Sequence, residues 1–243
     1  MVVISHKHKF IFIKCIRTAS SSMEEFFWRF RGDKDIFTPY PPKWNHKQNY
    51  KGFYNPLKDI LSLRIFANNL PKEIKSSKYI GGWLINQVFR RFIKKEAFYD
   101  HMPAWMIKNR IGKNIFNSYF KFCFERNPYD KVVSRYLFFR KYGLNMSFRQ
   151  FVKSPWVFNA LNFPLYMDPS LKKVIVDYIG YYENLEEDFA KIMRKLKLPE
   201  VLDVNINTSP EVAHGYRKYY DKELKEIVSN IYRFELEMHG YDF

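Results

Sequence analysis

Short apolar runs alternate along the chain with longer segments in which apolar residues recur at helical spacing. β-branched and aromatic runs at residues 9–13, 120–125 and 174–182 predict strands. A helix-like segment follows each run, at residues 22–30, 129–142 and 185–196. Strand, short loop and helix, repeated at long intervals, favour a mainly parallel sheet with crossover helices, and hence an α/β fold.

The two ends of the chain extend this pattern. The apolar start MVVISHKHKFIFI is interpreted as a first strand. Residues 222–239 predict a further helix, whose apolar positions are Leu224, Ile227, Val228, Ile231, Phe234 and Leu236.

Residues 31–100 do not follow the pattern. They contain a Pro-rich aromatic turn and basic helical patches, with no repeat and no clear linker. We therefore expect one domain over residues 1–243, with a variable insertion around 31–100 that is a common place for substrate-specific elements.

Composition and charge narrow the class of protein. With 243 residues and 47% hydrophobic residues, the chain can bury a proper core. The net charge of +16 implies a polyanionic partner without choosing among nucleic acid, anionic lipid, phosphorylated cofactor and acidic glycan. Cys15 and Cys123 lie in apolar runs and are expected to be buried free thiols. No apolar window is long enough for a membrane span and no cleavage site follows the start, so a cytoplasmic protein is expected.

The first candidate site is the loop after the first strand. Its sequence, IRTASSS, places one arginine and several hydroxyls before a helix: Arg17, Thr18, Ala19, Ser20, Ser21 and Ser22. The amino end of a helix after a parallel strand binds anions, and an arginine there adds a fixed charge. Alternatively the serines only begin the helix, because Ser21 with Glu24, or Ser22 with Glu25, fits a capping box. The glycines and lysine of a Walker A loop are absent, which disfavours a nucleotide triphosphatase.

The second candidate site is the loop in FERNPYDKVVS. Asn127 suits a helix cap, Pro128 the first helical position and Asp130 the first turn. These structural roles leave Arg126 and Ser134 unexplained, although each taken singly is an ordinary surface or helix residue.

Together the two loops resemble those of sulfotransferases that use 3′-phosphoadenosine 5′-phosphosulfate (PAPS), in particular the carbohydrate branch of Golgi and bacterial family 2-like enzymes. The family patterns P-K-T-[AG]-[GS]-T-S and F-x-R-[ND]-P-x-x-R-x-x-S fall on residues 16–22 and 124–134. Further similarity lies in Tyr182, Glu183, Asn184 and Leu185, in the N-x-S of residues 207–209, and in the closing helix with its final GYDF. The resemblance implies a P-loop-NTPase-like, three-layer α/β/α fold.

The resemblance also implies roles. Arg17 would stabilise charge on the leaving phosphate, while Thr18 to Ser22 would help to hold the phosphosulfate. Arg126 and Ser134 would bind the 3′-phosphate, and Arg217 would contact the cofactor or an acidic acceptor. PAPS is the implied cofactor, without a metal, and the expected acceptor is a saccharide hydroxyl. No nucleic-acid partner and no stable membrane insertion are expected.

His101 is the candidate catalytic base, because some relatives place a catalytic histidine upstream of the second strand. A packed or surface histidine is the alternative, and Glu24, Glu25 and Asp100 are weaker candidates for the base. A solvated basic face is the alternative for Arg217.

The sequence departs from the family patterns at several positions. Arg17 replaces the usual lysine, Ile16 replaces proline and Lys131 replaces the second arginine of the second loop. Arg17 leaves open a catalytically weak sulfotransferase-fold binding protein. The charge of +16 with many aromatic residues leaves open a basic nucleic-acid-binding protein.

Overall fold

A five-stranded sheet lies at the centre of the part of the chain that the structure describes. The structure is a computed structural model, and it describes residues 2–39, 46–75, 91–204 and 215–243. The strands are β1 (Val3–Ser5), β2 (Phe10–Phe12), β3 (Ile36–Phe37), β4 (Phe120–Glu125) and β5 (Tyr178–Tyr181), in the spatial order β3-β1-β2-β4-β5. The pairs β2–β4 and β4–β5 are parallel, while β1 is antiparallel to both β2 and β3. Four of these strands thus run in one direction, as predicted for a mainly parallel sheet.

Helices connect and cover these strands. The described α-helices are α1 (Ser20–Trp28), α2 (Leu57–Asn69), α3 (Lys72–Lys75), α4 (Arg91–Ile93), α5 (Ala104–Ile111), α6 (Lys113–Ser118), α7 (Pro128–Lys141), α8 (Phe148–Val152), α9 (Phe163–Tyr166), α10 (Leu185–Leu196) and α11 (Lys222–His239). Short 3₁₀ helices span Pro155–Ala160, Tyr182–Asn184 and Arg217–Tyr219. Within the described ranges, every helix falls short of the length or apolar character needed to cross a bilayer.

The sheet separates two apolar cores because successive side chains of a strand point to opposite faces. On one face, Phe10, Phe12 and Phe122 pack with residues of α1 and α10. On the other face, Ile11 and Cys123 pack with residues of α2, α5, α7 and α11. Helices therefore cover both faces, which gives the three-layer α/β/α architecture.

The elements that carry the two loops agree closely with the sequence prediction. β4, α10 and α11 have the predicted bounds, and α1 and α7 differ from prediction by one or two residues. The N-terminal run differs more: it forms a hairpin of two strands, β1 and β2, where a first strand was predicted. The reversal lies at residues 6–9, where Lys9 has a φ of 54° and the Ser5 hydroxyl accepts the His8 N–H.

Parts of residues 31–100 contribute to the sheet and to the helices that cover it. β3 joins the edge of the sheet next to β1. α2 is fixed to α5 by a buried ion pair of Asp59 with Arg110, and the Phe66 ring of α2 enters the core. Whether this segment determines substrate choice stays a prediction.

Candidate active site

The first loop leaves β2 and turns sharply before α1. Arg17 and Ala19 have φ angles of 59° and 54°, in the left-handed region that residues with a side chain rarely adopt. Ala19 is the N-cap of α1, and its carbonyl accepts the backbone N–H of Ser22 at 2.9 Å. No side-chain cap bond forms at this position, so the capping box considered for the serines is not what starts the helix.

The hydroxyls of the first loop have two kinds of surroundings. Those of Thr18 and Ser20 donate to the Cys15 carbonyl, at 3.3 and 2.9 Å, and both residues are buried. Ser21 is half-buried and lies in the first turn of α1. The backbone N–H groups of a first turn have no carbonyl partner within the α-helix. The loop therefore presents the amino end of a helix beside Arg17, an arrangement suited to an anion.

Cys15 and Cys123 are free, buried thiols, as predicted. Burial is the main cause that raises the pKa of Cys15, and its hydrogen bond with Cys123 adds to the effect. A thiol with a raised pKa forms little thiolate, so Cys15 is an unreactive core group beneath the first loop.

The second loop has the predicted local structure. The Asn127 side chain accepts the Tyr129 N–H at 3.0 Å, and Pro128 is the first residue of α7. Asp130, in the first turn, does more than complement the helix dipole. Its carboxylate accepts from Arg126 Nε at 2.8 Å and so fixes the guanidinium at the end of β4.

The two loops meet at the Ser134 hydroxyl. Arg17 Nε donates to Ser134 Oγ at 2.8 Å, and Arg126 Nη1 donates to the same oxygen at 3.4 Å and to the Arg17 carbonyl at 3.1 Å. Arg126 and Ser134 are both buried. Residues 117 positions apart in the chain thus form one cationic cluster, because parallel β2 and β4 end at the same edge of the sheet.

Electrostatics favour an anion at this cluster. Arg17 and Arg126 both donate to the Ser134 oxygen, so two positive charges lie close together and repel each other unless an anion binds nearby. Asp130 balances Arg126 at 2.8 Å, and the Arg17 guanidinium also lies 5.1 Å from the centre of the Phe138 ring. The amino ends of α1 and α7 add partial positive charge on the same side. Guanidinium and backbone donors of this kind fit phosphate groups.

His101 lies next to the first loop, at the end of an ion network. Its Nδ1 donates to the Lys14 carbonyl at 2.9 Å, and its Nε2 lies 3.3 Å from Asp100. Although the side chain is 28% exposed, desolvation lowers the pKa of His101 well below its usual value, and the charge of nearby Lys14 adds to this. The imidazole is therefore neutral at pH 7, the form that a proton acceptor requires.

The weaker candidates for the base are held in other contacts. Glu24 is buried and pairs with Lys14 at 3.2 Å, while Glu25 lies 3.2 Å from His46. Asp100 lies between Lys14, at 3.8 Å, and His101.

Arg217 is exposed on a 3₁₀ helix and donates to the Phe243 carbonyl at 3.0 Å. Its predicted contact with the cofactor therefore stays a prediction. The N-x-S of residues 207–209 lies outside the described residues.

A buried ion network behind the second loop escaped the sequence analysis. Lys131 Nζ lies 2.7 Å from Glu125 and 2.6 Å from Glu235, and the three side chains are fully buried. Desolvation would lower the pKa of Lys131, but the two carboxylates outweigh it and raise that pKa. Lys131 therefore supports the loop from within, although in the family pattern its position holds an arginine. The signal in the sequence that could have revealed this network is Glu235. It lies eleven residues after Leu224, so the two residues share the buried face of α11.

Asn162 connects this network to the first loop. It accepts the Ile16 N–H at 2.7 Å, and its amide donates to the Ile16 carbonyl at 3.3 Å and to Glu125 at 2.9 Å. Glu125 also accepts the Arg126 N–H. Asn162 therefore connects Ile16 of the first loop, through Glu125, to Arg126 of the second loop.

Residues after β5 complete the second loop. The Tyr182 ring centre lies 4.0 Å from the Arg126 guanidinium carbon. Glu183 accepts the Asn127 N–H at 2.7 Å and the Tyr241 hydroxyl at 2.9 Å. The sequence pointed to this segment only by resemblance, and its contacts hold Arg126 and the start of α7.

Comparison with known proteins gives matches over nearly the whole chain. The model of the sulfotransferase family matches residues 1–242. An uncharacterized protein of Archaeoglobus fulgidus is 62% identical over 120 residues, 48% of this chain and 98% of that protein. A second uncharacterized protein of that organism is 69% identical over 26 residues, 11% of this chain and 84% of that protein. A solved sulfotransferase from Alicyclobacillus acidocaldarius is 14% identical, with a TM-score of 0.37 over 93% of this chain and 94% of its own.

Proposed function

This chain belongs to the sulfotransferase family, and we propose that it transfers the sulfuryl group of PAPS to a hydroxyl of an acceptor. The observation that carries the proposal is the meeting of Arg17 and Arg126 at the Ser134 hydroxyl. PAPS supplies the sulfuryl group, and its several phosphates match a site with two guanidiniums and two helix amino ends. A saccharide acceptor rests on the sequence resemblance and stays a prediction.

The proposed roles follow from where each side chain is held. Arg126, fixed between Asp130 and the Tyr182 ring, would bind the 3′-phosphate together with Ser134. Arg17 would stabilise the negative charge that builds on the leaving phosphate oxygen, because its guanidinium stays charged at every working pH. An arginine is a poor proton donor, so its proposed contribution is electrostatic.

Neutral His101 would take the proton of the acceptor hydroxyl. In the transfer, a bond forms between the acceptor oxygen and sulfur while the bond from sulfur to the bridging phosphate oxygen breaks. The electron pair leaves with the nucleotide, and the hydroxyl proton passes to the His101 ring. General base catalysis of this kind contributes about 10²–10⁴ in rate.

Three variants test the proposal with labelled PAPS and with calorimetric titration of the product nucleotide, 3′,5′-ADP. Because Arg126 holds a buried charge-assisted site, Arg126→Ala is expected to weaken nucleotide binding by about 100-fold. Arg17→Ala should abolish turnover while leaving some binding. His101→Ala should lower turnover by about 10²–10⁴ with little change in nucleotide affinity.

Arg29→Ala is the matched control, since Arg29 is exposed at the other end of α1 and pairs with Asp203. Unchanged sulfate transfer in the Arg126 or Arg17 variant would refute the site. Nucleotide binding without transfer to any acceptor would instead indicate a binding protein. Duplex binding with a steep salt dependence and no nucleotide retention would indicate a nucleic-acid-binding protein.

A further inference from the structure

A cavity of about 270 Å³ lies directly beside the cationic cluster. Its lining includes Ile16, the residue before Arg17, and Arg135, the residue after Ser134. His101 and Asp100 also line it. The cavity therefore adjoins both loops and contains the candidate base, which is where an acceptor has to lie.

Most of the described cavity wall is apolar. Side chains from α2 and α3 form one part of it, and the segment around α9 forms another: Phe66, Leu70, Ile74, Leu161, Pro164 and Leu165. These six side chains offer no hydrogen bonds, so most of the hydroxyls of a free sugar would lose water there without replacement. An alkyl chain or an aromatic ring would gain from burial instead.

Two charged groups of the lining, Arg91 and Asp100, are engaged by protein partners. Arg91 pairs with Glu96 and lies 4.8 Å from the centre of the Tyr99 ring. Asp100 lies near Lys14 and His101. Arg135 lies 4.3 Å from the centre of the Phe139 ring, so apolar side chains form most of the wall that a ligand would contact.

We propose that this cavity is the acceptor site, and that the acceptor is an apolar alcohol or phenol whose hydroxyl reaches the His101 ring. A cavity of about 150 Å³ holds benzene, so this one has room for a bicyclic ring or a chain of about ten carbons. The inference rests on the proposed function for the transfer step, which is the one described above. It also gives α2 and α3, within residues 31–100, a direct part in substrate choice.

Two measurements on the unmodified protein test the inference. The first is equilibrium binding of 2-naphthol, followed by its fluorescence without any sulfuryl donor. The second is transfer from labelled PAPS to linear alcohols of increasing length and to a panel of free saccharides. We expect saturable naphthol binding, and a kcat/KM that rises about fourfold per added methylene until the cavity is full. A flat series, or faster transfer to free saccharides, would overturn the inference.

A pair of variants on one helix locates the effect. Leu70→Trp places a larger side chain in the cavity at the end of α2, and should reduce kcat/KM for the longest alcohols at least tenfold more than for the shortest. Ile65→Trp, on the exposed side of the same helix, should leave the length dependence unchanged. The same response in both variants would show that the cavity does not select the acceptor.

Nucleotide binding separates the two proposals. Retention of the protein on immobilised 3′,5′-ADP without naphthol binding would refute the acceptor cavity alone. Naphthol binding without nucleotide retention would refute the proposed function and leave an apolar binding site of another kind.

Discussion

Lys131→Met tests whether the buried network behind the second loop holds the fold together. The substitution keeps an unbranched side chain of similar length but removes the ammonium between Glu125 and Glu235. Both carboxylates are fully buried and would then face each other without a cation. We expect a large loss of stability, because an uncompensated buried charge has no water to solvate it.

The expected loss is about 3–5 kcal/mol at pH 8, the usual cost of removing one partner from a buried ion pair. Domains have a total stability of about 5–15 kcal/mol, so the variant would stay folded with a small margin. The loss should depend on pH, because a buried carboxylate escapes the penalty by taking up a proton.

Glu235 sets the direction of that dependence. Desolvation already raises the pKa of Glu235 to about 7 from 4.5, although Lys131 acts against the rise. Without Lys131 the pKa of Glu235 in the folded protein would rise further. When the pKa of a carboxyl is higher in the folded than in the unfolded protein, protonation favours the folded state. This stabilisation is complete below the unfolded pKa of about 4.5 and is lost as the pH rises through the pKa of the folded protein. The difference between variant and parent should therefore shrink toward pH 5, by at most about 1.4 kcal/mol per pH unit for each proton.

The assay is urea unfolding at pH 5.5 and pH 8, followed by tryptophan fluorescence and far-UV circular dichroism. Lys191→Met is the matched control, because Lys191 pairs with Glu187 at 2.8 Å on the exposed surface of α10. A surface pair contributes little, so the control should keep its unfolding midpoint. Equal effects of the two substitutions, or a loss in Lys131→Met that is the same at both pH values, would refute the reasoning.

Three further predictions use other contacts. Gly180→Ala should reduce the free energy of unfolding by about 1–3 kcal/mol in urea, because the new Cβ would lie 2.6 Å from Phe124 Cε1. Gly52→Ala is the control, because its new Cβ would make only ordinary contacts, and equal effects of the two substitutions would contradict the packing argument. Tyr182→Leu should weaken binding of 3′,5′-ADP by about 3- to 30-fold in calorimetry, through loss of the ring beside Arg126; an unchanged affinity would exclude that contact from binding. The lowered pKa of His101 keeps the ring neutral through pH 6.5, so kcat/KM should stay level from pH 8 to 6.5 and fall only below; a fall that begins above pH 6.5 would argue against His101 as the base.

Local patterns made the two loops predictable. Asn127, Pro128 and Asp130 have the positions that the chemistry of a helix start demands, and the structure places them there. β4 and α10 keep their predicted bounds because a run of apolar strand residues and a strongly amphipathic helix each have one stable orientation. The contact of Arg17 with Ser134 was not predicted; it forms because the parallel strands β2 and β4 end at the same edge of the sheet.

What escaped prediction depends on contacts between distant residues. Nothing near Asn162 in the sequence indicates that its amide joins Ile16 to Glu125. Lys131 looked like a substitute for an arginine, whereas its burial is set by Glu235 from a helix 104 positions later. The apolar cavity likewise needs α2, α3 and α9 together, so no local pattern in the sequence indicates it.

The left-handed backbone at Arg17 and Ala19 sets a rule for how this chain can change. Such a conformation costs about 1–2 kcal/mol for a residue with a side chain, and glycine avoids that cost. A library randomised at position 19 and selected for folding should therefore return glycine and asparagine, and never valine or isoleucine. At position 17 the same backbone also favours glycine, yet selection for turnover should retain arginine or lysine. The residues recovered at the two positions would thus differ. Backbone conformation would determine the residue at position 19, and the positive charge needed for turnover would determine the residue at position 17.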